Sequence, residues 1–198
     1  MASDRLAKAL EAIDAANAQD PKRGPGEDAE QAGELVYGRR MSRALARLYP
    51  DASEHLQIAA RGQHIERWTS PRDAYPDGRE GYLRWRNDLK RFHARRVGEI
   101  MAEAGYAPED AERVESLIRK HRLKRDPEAQ ALEDVVCIVF LQDYFAEFAA
   151  KHEDAKVVDI LRKTWPKMSP HGQAVALELD LPATARTLVE TALAPKTA

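Results

Sequence analysis

Apolar positions recur three and four residues apart over most of the chain, and no stretch alternates with a period of two for longer than chance. Positions i, i+3, i+4 and i+7 share one face of a helix, whereas strict alternation marks a half-buried strand. The pattern therefore predicts helices and no sheet. A first helix is expected over residues 3–18, capped by Ser3 or Asp4, with Leu6, Leu10 and Ile13 as its stripe. A second is expected over 27–48, with Leu35, Met41, Leu45 and Leu48 on its apolar face. Acidic residues crowd its start and basic ones its end, as the helix dipole favours. The third spans 52–68 and the fourth 79–104, which Gly105 stops. The fifth spans 108–122, with Pro108 in its first turn. Three shorter pieces are expected at 153–164, 169–179 and 182–194, the last two opened by Ser169-Pro170 and Leu181-Pro182.

The most apolar stretch is Leu132 to Phe148, inside a helix expected over about 127–151. Seven apolar residues run unbroken from Val135 to Leu141. A helix apolar on nearly all sides belongs in the middle of a bundle. Asp134 shares a face with Ala131, Cys137, Ile138 and Leu141. Its carboxylate therefore points inward, where a charge is costly without a partner. The expected architecture is all-α, a single domain over 1–198, with about eight or nine helices around this buried one. Residues 1–26 form an N-terminal helix and loop, 27–151 a core, and 152–198 the C-terminal helices.

Two local features qualify the pattern. Gly38 sits inside the second helix, where it costs about 1 kcal/mol against alanine. A glycine there permits close approach of another helix or a ligand. The segment QDPKRGPGED, residues 19–28, places two prolines and two glycines in a short loop. It is either a plain linker or a flap over a site.

Composition narrows the partners. The net charge is −2, which gives the whole molecule no polyelectrolyte character. From Arg61 to Arg96, however, ten Lys/Arg face five Asp/Glu. A locally basic segment in a mildly acidic chain fits a small anion better than a nucleic-acid track. The alternative is a solvated helix face. No apolar run approaches the roughly 20 residues of a membrane span, and the N-terminus has no apolar signal-peptide core. No membrane partner is expected, and the expected compartment is the cytoplasm. The single cysteine, Cys137, reads as a buried core thiol. Nothing in the pattern selects an oligomeric state.

Candidate chemistry rests on histidines, one acid and arginines. His64, His93 and His121 have apolar neighbours at helical spacing, while His55, His152 and His171 sit in polar surroundings. A lone inward histidine is usually a satisfied core residue. Several of them with an inward aspartate make a ligand set for zinc, manganese or iron. Helical bundles build such sites from facing helices. Glu34 could add a ligand from the second helix. Arg39, Arg40, Arg61, Arg67 and Lys90 are candidates for binding an anion, since the arginine fork suits phosphate or carboxylate. Trp68 and Trp85 are candidates for stacking. Against this stands the plain reading of cationic side chains lying over helix surfaces, with aromatics in the core. There is no Gly-rich phosphate loop, no nucleophile elbow and no sign of an organic cofactor.

The order of these segments resembles the HD-domain metal-dependent phosphohydrolases. ELVYGRRM stands where the first histidine helix of that superfamily would be, IAARGQHIERW where its His-Asp helix ends, FHARRVGEIMAEAG and VESLIRKH at later histidines, and LEDVV at the final acid. Two departures are evident. Tyr37 occupies the first histidine position, and the His-Asp pair is Gln63-His64. Over nearly its whole length the chain also resembles the family called domain of unknown function 4202. It carries the strings AIDAANAQDP, YGRRM, GYLRWR, LKRFHA and LRKTW that mark that family.

The HD resemblance implies an HD-like bundle and one divalent metal held by Glu34, His64, His93 and Asp134. His121 and Lys120 would then serve as catalytic or proton-transfer groups. The expected activity is hydrolysis of a small phosphorylated or nucleotide-like substrate. The alternative is a non-catalytic HD-like scaffold that binds an anionic metabolite or partner through an Arg/aromatic pocket.

Overall fold

A computed structural model describes residues 3–195. Its helices begin where the chain offers caps. Ser3 accepts a hydrogen bond from the Leu6 N–H at 3.3 Å and opens α1 (Asp4–Asn17). Ser53 does the same for Leu56 at 3.2 Å and opens α3 (Glu54–Gly62). The start of α2 (Gly33–Leu48) has no such side chain of its own. There the buried Asp20 substitutes: its Oδ2 accepts from the Glu34 N–H at 3.0 Å and its Oδ1 from the Lys22 N–H at 2.9 Å. This moves the start of α2 to Gly33, later than the acidic run at residue 27 suggests.

The same contacts tie down the Pro/Gly loop. Gly24 donates to the Gln31 carbonyl at 2.9 Å and Gly33 to the Lys22 carbonyl at 2.8 Å. An isolated bridge pairs Arg23 with Ala32. No strand occurs among the described residues, so the all-α expectation stands.

The backbone divides into two units, one up to Leu132 and one from Glu133 onward. In the first, α3 is the hub. It packs on α1, on α2, on α4 (Gly78–Glu103) and on α5 (Pro108–Ile118). Ile13, Met41, Leu45, Ile58, Val97 and Leu117 are buried between these helices. Two glycines allow the approach. A Cβ on Gly38 would lie 2.9 Å from the Arg61 carbonyl oxygen, and one on Gly62 would lie 2.5 Å from Val97 Cγ2.

Two helices end sooner than their sequence pattern suggests. The third stops at Gly62 rather than 68, and Glu66 then takes a left-handed conformation with φ 50°. The fifth stops at Ile118 rather than 122. Its end is a Schellman motif: His121 N–H bonds the Ser116 carbonyl at 3.0 Å and Lys120 N–H bonds the Leu117 carbonyl at 2.9 Å. Lys120, not glycine, holds the left-handed position at φ 58°. Because the helix has ended, the face rule that set His121 beside Val114, Leu117 and Ile118 no longer applies, and His121 is exposed.

The division between the units falls within α6 (Pro127–Asp143). Residues 131–135 and 137–139 of this helix are buried. It ends at Asp143, and a separate short helix, α7 (Phe145–Ala149), follows the break at Tyr144. The second unit also contains α8 (Asp154–Thr164), α9 (Pro170–Leu177) and α10 (Ala183–Leu193). Arg162 donates to the Ala192 and Thr191 carbonyls and so satisfies the last turn of α10. Asp134 has no exposed surface. It accepts from the Ser169 N–H at 2.8 Å and from the Ser169 hydroxyl, at the residue that caps α9. The positive end of a helix favours a carboxylate there. Gly172 makes room for it, since a Cβ at that position would lie 2.6 Å from Asp134 Cγ.

Gly38→Ala separates helix propensity from packing. Propensity alone would stabilise α2 by about 1 kcal/mol. The new methyl, 2.9 Å from the Arg61 carbonyl oxygen, has to push α3 away. Urea unfolding should show a net loss of about 1–3 kcal/mol. A variant more stable than the parent would show that the α2–α3 approach is not tight.

Candidate functional site

The site lies in the first unit, where early helix endings bring loop residues onto helix residues. The α3 helix stops at Gly62, and the next residues turn back. The buried Asn17 accepts from the Glu66 N–H at 3.0 Å, and Arg96 pairs with the Glu66 carboxylate at 3.3 Å. These bonds hold the left-handed Glu66 and set the direction of Arg67. Strained backbone of this kind costs of order 1–3 kcal/mol and concentrates at functional sites.

His64 is the centre of the cluster. Tyr37 stacks on its ring, with centroids 4.1 Å apart and planes 12° apart. Arg67 Nη1 lies 3.1 Å from His64 Nε2, and its guanidinium also sits over the Trp85 ring at 5.1 Å. Glu34 Oε2 lies 3.6 Å from His64 Nδ1. The His93 ring is 6.0 Å away, centroid to centroid.

His93 is buried on α4 and donates from Nδ1 to the Ile65 carbonyl at 2.7 Å. A carbonyl can only accept, so the proton is on Nδ1 and Nε2 of the neutral ring is a lone pair. That Nε2 is buried and has no hydrogen-bond partner. Gln63 Oε1 is likewise buried and unpartnered.

Electrostatics follow from burial in a cationic setting. His64 is pushed well below its ordinary value, first by burial and then by Arg67, Lys120 and Arg86. His93 is held down to about 3, first by burial and then by His64. Glu34 moves the other way, from 4.5 up to about 7. Burial raises it against the pull of Arg67, His93 and Lys22. Near neutral pH the cluster therefore holds uncharged imidazoles, a carboxyl that is substantially protonated, and several cations.

The chain belongs to a family. The model for "Domain of unknown function (DUF4202)" matches residues 7–189, nearly the whole chain and all of this cluster. No curated protein and no solved structure gives a significant match.

Of the residues singled out in the sequence of this family member, Glu34, His64, His93, Arg67 and Trp85 stand together. Lys120 joins them through its charge on His64. Trp85 stacks with Arg67 and donates from Nε1 to the Ser70 carbonyl at 2.9 Å. Trp68 is half-buried in the short turn at Arg67–Thr69, and Lys90 is half-buried on α4.

The other arginines act as braces. Arg61 pairs with Asp14 at 2.7 Å and donates to Ser42 at 2.8 Å, while Arg39 shares Asp14 at 3.3 Å. Arg40 pairs with Asp28 at 2.8 Å. Asp134 lies in the second unit with its oxygens on Ser169. Among the described residues no group of three or more His, Cys, Asp and Glu is arranged to hold a metal ion.

The sequence reading passed over Asn17, Lys22 and Glu66. Lys22 sits in a loop whose tie to α2 no periodicity reports, and a left-handed glutamate leaves no signature in the pattern of apolar positions.

The raised Glu34 makes a signed prediction. The folded chain holds this proton more tightly than the unfolded chain. Its contribution to stability is complete below about pH 4.5 and is lost as pH rises to about 7. Glu34→Gln removes that dependence. Chemical unfolding of both proteins across this range should show the variant gaining about 1–3 kcal/mol on the parent. Stability curves that run parallel would mean that the Glu34 carboxyl is not raised.

Proposed function

We propose that this chain binds a small phosphorylated or similarly anionic compound in the His64–Arg67 cluster. One observation carries the reading: the Arg67 guanidinium sits over the Trp85 ring at 5.1 Å and 3.1 Å from His64 Nε2, held by an indole and an imidazole, and the positive charge of Arg86 and Lys120 also bears on that histidine. A cluster of this kind is net positive near neutral pH and stabilises an incoming anion. Arg67 supplies the fork for phosphate oxygens, with its plane held by Trp85. Lys22 and the raised Glu34 flank the site from α2 and the loop that ties it.

Metal-dependent hydrolysis of such a compound is the second reading, supported by the closeness of Glu34 and His93 to His64, although among the described residues no three such groups are arranged to hold a metal ion. We place it below anion binding because the remaining expected ligand, Asp134, has its oxygens on Ser169.

Titration calorimetry with inorganic phosphate, simple phosphomonoesters and nucleoside monophosphates tests the first reading. At least one should bind, and Arg67→Ala should weaken it by about 10-fold or more. If every compound is silent, or Arg67→Ala binds as tightly as the parent, the His64–Arg67 cluster is not the anion site. Elemental analysis of untagged protein tests the second. Stoichiometric zinc, manganese or iron, lost in His93→Ala, would promote hydrolysis over simple binding.

A further inference from the structure

Resting on that anion-binding reading, a finer specificity follows from the acceptors that the cluster leaves bare. His93 commits its Nδ1 proton to the Ile65 carbonyl at 2.7 Å, which leaves Nε2 as an acceptor. This side chain is only 3% exposed, and Nε2 has no partner. Gln63, one residue before His64, carries a second buried acceptor without a partner in Oε1. A buried acceptor left unmade is costly, and a ligand with a donor in the right place relieves that cost. Arg67 attracts an anion, but an oxyanion without a proton offers these acceptors nothing. It would set its own lone pairs against theirs.

We infer that the site selects a protonated phosphate group over aprotic oxyanions, with His93 Nε2 accepting the hydrogen bond from the P–OH. His93 is thus a specificity-determining residue, and the favoured ligand class is inorganic phosphate or a phosphate monoester that retains a P–OH. A site built to hydrogen-bond a ligand hydroxyl rejects an analogue that lacks it, because the site's own buried group is then left unpaired.

Phosphate and sulfate form the decisive pair, being close in size and shape while only phosphate keeps a hydroxyl near neutral pH. Calorimetry on the full chain at equal ionic strength should show phosphate binding at least about 10-fold more tightly than sulfate. His93→Asn keeps an N–H to donate to the Ile65 carbonyl and deletes the Nε2 acceptor. In that variant the two anions should bind within about 3-fold of each other.

If the variant fails to fold, methyl phosphate on the parent protein decides. Above its second ionisation, at about pH 8, it has no P–OH and should bind as weakly as sulfate, while inorganic phosphate still binds well. Equal binding of phosphate and sulfate by the parent, undiminished selectivity in His93→Asn, or tight binding of methyl phosphate dianion each overturns this inference and leaves the anion site standing. Binding of neither phosphate nor sulfate overturns the site itself, and the inference with it.

Discussion

The hydrogen bond from His93 Nδ1 to the Ile65 carbonyl is the contact on which the candidate site depends. It joins the middle of α4 to the turn after α3, at a point where the backbone has just left the helix. A backbone carbonyl buried there needs a donor. Satisfying it with a histidine has a chemical by-product, because the tautomer is set and the opposite nitrogen is left as a lone pair. The same bond holds the turn that carries His64 and Arg67. Structural need and chemical potential are met by one proton.

The cluster is built from residues at helix boundaries. Glu34 lies in the first turn of α2, under the surrogate cap of Asp20. His64 and Arg67 follow the end of α3, and Lys120 follows the end of α5 in a Schellman motif. Only Tyr37, Trp85, Arg86 and His93 come from helix interiors. This explains what was legible in the sequence and what was not. The helices themselves were readable from apolar periodicity, and Ser3 caps α1 as its position suggests. The burial of His93 on α4 also agrees with its apolar neighbours, whereas His64 lies past the end of α3, where helical spacing does not apply. The endings at Gly62 and Ile118 were not, since apolar spacing runs on past both and the left-handed position after Ile118 is held by a lysine, where a glycine would have signalled a stop. Helical spacing, carried past those endings, gave His121 an inward face that the backbone does not provide.

Asp134 shows a different limit. Its burial could be read from the residues around it, and its need for a partner followed from the cost of a buried charge. The identity of the partner could not. Histidines were the conspicuous candidates, but the N-terminus of α9 supplies a backbone N–H and a hydroxyl at Ser169. A serine followed by proline and glycine reads as a helix start, and nothing in that string announces which carboxylate will come to rest upon it. Gly172 records the fit only after the geometry is known.

The pairing of Arg39 and Arg61 with Asp14 gives the basic surface a direction. A tethered carboxylate competes for its arginines as an internal ligand, with an effective concentration of about millimolar or higher. A free anion present below that level is outcompeted at this pair, and α1 thereby shields part of the positive charge. Arg67 is held by aromatic and imidazole rings instead, which carry no negative charge to displace. Two arginines six residues apart in the chain therefore differ in kind: one is paired with a carboxylate of the chain, and the other lies against an indole and an imidazole.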